Sequence, residues 1–185
     1  MQKIAPYYLI FLLNFIFSGC NSDGNKSLNN ADTSGVEAEK LDADSKEFLK
    51  QAAQSLIFDI EMANFAEENA KEKKVRIFAS NLSFGSTRVY NELKKLAAQN
   101  HLLLPVEANK EQLSIIDNLK LSNRQRFDRF YLSSIIQNQT NTLELFRKAG
   151  EIKHPAINNF VLNRTPDLKK QHFSSIKLYN SLAIN

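Results

Sequence analysis

The sequence predicts an all-α fold: an antiparallel bundle of four long helices with a short extra helix between the second and third long ones. Three observations predict it. Beyond residue 43 apolar residues recur at spacings of three and four. No stretch keeps a period-two alternation bounded by turn residues, which argues against strands. Helix breakers are sparse there, with glycine at Gly85 and Gly150 and proline at Pro105, Pro155 and Pro166.

Helix one is expected over roughly residues 45–70, with Asp44 as its N-cap and Glu47 completing a capping box three residues later. Helix two spans about residues 72–99, and "NHLLLPVEAN" makes the connection to a short helix over residues 110–121. Ser122 or Asn123 is placed to cap helix three, which runs to Ala149 and stops at Gly150. His154-Pro155 opens the last helix, since proline is tolerated in a first turn. Pro166 should kink or interrupt that helix.

The inward seams follow from these spans. Helix one offers Ala52, Leu56, Asp59, Ala63 and Ala66 at intervals of four, three, four and three. Helix two offers Val75, Phe78, Leu82, Ser86, Val89, Leu93 and Leu96, and helix three Leu132, Ile135, Gln139, Thr142 and Phe146. The last helix offers Leu168, Gln171, Ser175, Leu178 and Leu182. Asp59, Ser86, Gln139 and Gln171 interrupt the four stripes, so one interior polar level is expected. Gly85, beside Ser86, costs about 1 kcal/mol relative to alanine inside a helix, and marks a kink, a close helix contact or a pocket.

A polar level inside a bundle has two readings. Di-iron and di-manganese bundles project glutamates and Glu-x-x-His pairs inward, and a metal needs several carboxylate or imidazole ligands. Here the level supplies one carboxylate, one hydroxyl and two amides. Those residue types favour a hydrogen-bonded structural layer, or a weak ligand site, in which Asp59 finds a donor. No metal and no cofactor is therefore expected. His101 and His154 fall in connections without a cysteine or acidic partner at metal spacing, and read as surface residues. No glycine-rich phosphate loop occurs and no local signature marks a nucleophile with its base, so no catalytic residue is assigned.

The domain also resembles a known family. "EFLKQAAQSLIFDIEMANFA", "VRIFASNLSFGSTRVYNELKKLA", "HLLLP" and "FDRFYLSSIIQNQTNTLELFRKA" are similar to the helices and following turn of bacterial proteins grouped as domain of unknown function 4142, across about residues 45–182. The resemblance implies a ferritin-like helical bundle in a secreted or outer-membrane protein. Asp59 stands where that family usually has a glutamate. The family's Asp-His in the second helix is replaced by Gly85-Ser86, its Asp-His in the third long helix by Asn138-Gln139, and its last-helix histidine by Gln171. His172 lies one residue along, about 100 degrees round the helix. The resemblance thus implies a member without the family's imidazoles; a ferritin-like metal or redox protein using Asp59 and His172 is the alternative to a binding or structural bundle.

The N-terminus supplies an address. Lys3, an apolar run from Ile4 to Phe17 and the small residues Ser18 and Gly19 form the three parts of a secretory signal, and the run is too short for a comfortable membrane span. Phe17-Ser18-Gly19-Cys20 resembles a bacterial lipobox. Cys20, the single cysteine of the chain, would be an exposed reactive thiol in an exported protein unless acylated. Two or three acyl chains on it would anchor the protein stably, where one would hold only marginally. The expected organisation is a signal peptide over residues 1–19, a lipidated cysteine and flexible tether over 20–43, and the bundle over 44–185. Asn21, in place of aspartate, favours the outer membrane over the inner.

Charge adds little to this. Of 24 Lys plus Arg and 20 Asp plus Glu, the first 43 residues hold three and five, leaving 21 against 15 in the domain. The cations are scattered among acids, as in "KEKKVR" and "RQRFDRF", so a solvated helix surface leaning on anionic lipid is expected rather than nucleic-acid binding. The partners implied are the membrane, through the lipid anchor, and an envelope protein or small ligand.

Overall fold

The computed structural model describes residues 40–124 and 126–182. The signal, Cys20 and nearly all of the tether lie outside the described residues. Among the described residues the chain forms five helices and no strand: α1 (Ala43–Asn69), α2 (Lys73–Gln99), α3 (Lys110–Leu121), α4 (Phe127–Ala149) and α5 (Pro155–Asn180). None of them is long and apolar enough to cross a membrane.

Helix punctuation is local chemistry. Asp42 rather than Asp44 caps α1, its carboxylate accepting Ser45 N at 2.7 Å. Two carboxylates stand two residues apart there, and with the first of them as cap the helix starts two residues earlier than expected. Glu47 accepts a hydrogen bond from Gln51 instead of closing a capping box. The box forms at α3, where Asn109 Oδ1 accepts Gln112 N and Gln112 Oε1 accepts Asn109 N. Asn123 caps the turn leading into α4 by accepting Arg126 N at 3.0 Å. Gly150 ends α4 with an ordinary right-handed φ of −62°, and Pro155 opens α5. The helix continues through Pro166, where the Thr165 hydroxyl donates to Val161 O at 2.7 Å.

The packing directions follow from cross-helix pairs. Ser83 bonds Asn64, so α2 runs back along α1. Phe48 meets Phe146 and Phe65 meets Phe127, so α4 is antiparallel to α1. Ser175 reaches Gln139 and Phe160 reaches Phe146, so α5 is antiparallel to α4. Arg164 pairs with Glu92 and Lys74 with Ser181, which brings α5 antiparallel alongside α2. α3 lies in the α2-to-α4 crossover and buries Ile116 and Leu119.

Two apolar clusters carry the core. One gathers Phe58, Met62, Leu82, Tyr131, Leu132 and Ile135, the other Phe48, Leu49, Leu93, Phe146, Ile157 and Phe160. Each fully buried leucine or isoleucine contributes roughly 2 kcal/mol. The predicted seams of α1 and α4 are almost wholly buried, whereas in α5 Leu168, Gln171 and Leu178 remain half-exposed. Among the contacts between neighbouring long helices, α2 against α5 is the slightest. That gap positions the site.

Candidate functional site

The expected polar level exists, and it sits between the two apolar clusters. Asp59 is 4% exposed, Ser86 2% and Gln139 fully buried. Asp59 has a partner that the seams did not name, whereas Gln139 meets the seam residue Ser175. Asn138 Nδ2 donates to Asp59 Oδ1 at 2.8 Å and to Ser55 O at 3.1 Å, while Asn138 Oδ1 accepts Gln112 Nε2 at 3.2 Å. One amide thereby ties α4 to α1 and α3. Gln139 Oε1 accepts the Ser175 hydroxyl at 3.0 Å. Its Nε2 is buried without a hydrogen bond, as is the Tyr131 hydroxyl.

The electrostatics of Asp59 follow from its surroundings. Burial penalises the charged form and pushes the carboxyl up to about 7; the hydrogen bond from Asn138 pulls the other way without offsetting it. Burial, with the Asp59 charge second, also raises the Tyr131 phenol well above its usual value. Both groups are therefore neutral in mildly acidic solution.

A cleft of about 580 Å³ opens between α2 and α5 onto this level. Asp59 and Thr142 lie at its floor, Ser86 and Gln171 in its two walls, and Leu56, Phe78, Leu82, Val89, Phe146 and Leu168 give it an apolar lining. Gly85 lies in the cleft lining. A Cβ built there would stand 3.0 Å from Gln171 Nε2, so the absent side chain leaves room for the glutamine amide. Of the three readings open for this glycine, a close contact with α5 and a place in the cleft lining both hold. Among the described residues, Asp59 Oδ2, the Ser86 hydroxyl and the Gln171 amide make no hydrogen bond.

The structure brings Asp59, Ser86 and Gln171 to one cleft and holds Gln139 behind it. His172 is half-buried on α5 with Nδ1 unpartnered, and it does not line the cleft. His154, read as a surface residue, is 7% exposed at the N-cap of α5. The connection there is short enough to be folded under its flanking helices. His101 is exposed, in the left-handed region with φ 54°. Among the described residues no three His, Cys, Asp or Glu side chains come together as metal ligands would. A carboxyl that burial keeps protonated, beside amides and hydroxyls, is also the wrong donor set for a divalent ion.

No curated protein matches the chain. A solved fragment of a DUF305 protein from Deinococcus radiodurans superposes with a TM-score of 0.70 at 9% identity, covering 77% of this chain and 99% of that one. At that identity the likeness speaks to the helical fold alone. The family model described as "Domain of unknown function (DUF4142)" matches residues 30–177, beginning somewhat before the stretch in which the resemblance is legible by eye. With all the α1–α4 helices and nearly the whole of α5 inside that match, the chain belongs to the DUF4142 family.

Proposed function

We propose that this is a lipid-anchored protein of the bacterial cell envelope, held on the outer membrane through Cys20. Its domain, a ferritin-like antiparallel four-helix bundle crossed by α3, binds a small ligand in the α2–α5 cleft and catalyses nothing. One observation carries the binding reading: Asp59 Oδ2, the Ser86 hydroxyl and the Gln171 amide, from three helices, converge without hydrogen bonds on a cleft whose walls include Leu56, Phe78, Leu82, Val89, Phe146 and Leu168. Ligand sites have this composition, apolar walls with a few convergent polar groups, and volumes of roughly 300–1,000 Å³. A purely structural polar layer would satisfy its own members, as Asn138 does for Ser55 and Gln112.

Two measurements test the two halves. Cells fed radioactive palmitate should label the full chain and not its Cys20→Ala variant; equal labelling of both would dismiss the anchor. A fragment screen by NMR on the full chain should give shift changes concentrated between residues 82–89 and 168–174. Gly85→Leu, which fills the cleft, should abolish them while circular dichroism stays helical. Persistence of the shifts in that variant would place binding elsewhere and refute the reading.

A further inference from the structure

We infer that the cleft accommodates a small amphipathic anion that carries a hydroxyl at the end opposite its charge. This rests on the cleft being the binding site proposed above, and adds the chemistry of its occupant.

The inner end demands a neutral hydrogen-bonding group. Asp59, through Oδ2, and Ser86 and Gln171 offer it an acid, a hydroxyl and an amide that make no hydrogen bond of their own there. A hydroxyl both donates and accepts, so it can serve two of these at once. An alkyl end, such as the tail of a simple fatty acid, would desolvate all three and satisfy none. No full positive charge is called for at this depth, because burial keeps the Asp59 carboxyl protonated up to about neutrality.

The outer end favours an anion. Lys74, Arg88, Arg164 and Lys170 line the cleft against the single surface acid Asp167. Arg164 is already held by Glu92 at 2.8 Å and by Asp167 at 3.6 Å, and Lys74 donates to Ser181 O and Oγ at 3.0 Å. Arg88 reaches Asp167 only at 3.7 Å with its side chain 59% exposed, and Lys170 has no ion pair. Lys170 is unpaired and Arg88 only loosely paired, which leaves these two the best placed to receive a carboxylate, sulfonate or phosphate. An entering amine would meet them as like charges. Between the ends, Phe78, Leu82, Val89 and Leu168 suit an aromatic ring or a short chain.

Isothermal titration calorimetry of the full chain in mildly acidic buffer, with three probes of one length, tests this. Para-hydroxyphenylbutanoate should bind at least about tenfold tighter than phenylbutanoate, which leaves the floor unpaired, or para-hydroxyphenylbutylamine, which the rim repels. Ser86→Ala should shrink the hydroxyl's advantage to within about threefold. Lys170→Ala should weaken both acids and leave that advantage intact. An amine tighter than the acid would overturn the proposal in favour of a cationic ligand paired with ionised Asp59. Equal binding of the two acids would remove the hydroxyl from it. If none of the probes binds at about 1 mM while the fragment shifts still map to the cleft, this ligand class fails and the site survives; if the shifts are missing too, both fall.

Discussion

Asp59→Asn should make the protein more stable at pH 8, by about 4 kcal/mol, and no more stable near pH 4. The sign follows from the two states. In the unfolded chain the carboxyl ionises at its model value of 3.8, and in the folded chain burial raises it to about 7. The folded state therefore holds its proton more tightly. Its stability advantage is complete below pH 4, is lost as the pH rises through 7, and is flat beyond. Asparagine keeps the oxygen that accepts Asn138 Nδ2 at 2.8 Å and removes the titration. Its new amide group takes the place of Oδ2, which receives no protein donor for it to clash with. Urea unfolding of both proteins at several pH values reads the effect directly, because exposed carboxylates such as Glu144 titrate identically in each and cancel in the difference. A wild type whose stability runs parallel to that of the variant from about pH 4 to pH 8 would show that Asp59 is solvated or ion-paired in solution, and the neutral floor of the cleft would go with it.

Why a buried acid stands at this position bears on function. A buried acid without a counter-charge is costly, and isosteric asparagine stands next door at Asn138 as evidence that this level tolerates amides. Retaining the acid makes sense if the carboxyl meets something in the cleft that an amide cannot. Proton donation to a ligand oxygen is such a service, and it is available over the pH range in which burial keeps the group neutral.

Much of the architecture was legible because helices announce themselves by period and punctuation. The span 110–121, the stop at Gly150 and the start at Pro155 each rest on one local signal, and each stands in the structure. Asp59, Ser86 and Gln139 were readable as interior because they occupy seam positions otherwise filled by Leu, Val and Ile. What failed depends on how helices are rotated and spaced. Asn138 and Gln139 are neighbours about 100 degrees apart, and both turn inward, because α4 faces α1 and α3 with one and α5 with the other. A single seam per helix cannot express two inward faces. The cleft itself arises from α5 standing off α2, and no residue encodes that distance. Gly85 was its nearest local sign, since a missing side chain beside a buried serine costs helix stability unless the space is used.

Asp128→Ala should cost about 3 kcal/mol, although the residue belongs to neither apolar cluster and does not line the cleft. The reason lies at the turn from α1 to α2. Its backbone N–H groups at Lys71 and Glu72 have no helical partner, and α2 begins without a side-chain cap of its own. Asp128, in the first turn of α4 and 6% exposed, supplies both acceptors: Oδ1 takes Lys71 N and Oδ2 takes Glu72 N, each at 2.8 Å. Arg76 closes the other side of the turn by donating from Nη1 to Ala70 O and Lys71 O. One carboxylate thus caps a helix belonging to a segment more than fifty residues away, and its charge sits favourably at the positive ends of both α2 and α4. Alanine leaves two donors unpaired and removes the ionic hydrogen bonds that tie the α4 start to this turn. Asparagine keeps one acceptor and turns an amide N–H toward the second donor, so it should recover less than half of the loss. Arg76→Ala should cost less than either, because carbonyls at a turn accept water readily. Denaturant midpoints at constant m-value rank the three variants; an Asp128→Ala protein within about 0.5 kcal/mol of wild type would mean that the turn is solvated in solution and that α1–α2 docks on α4 through its apolar faces alone.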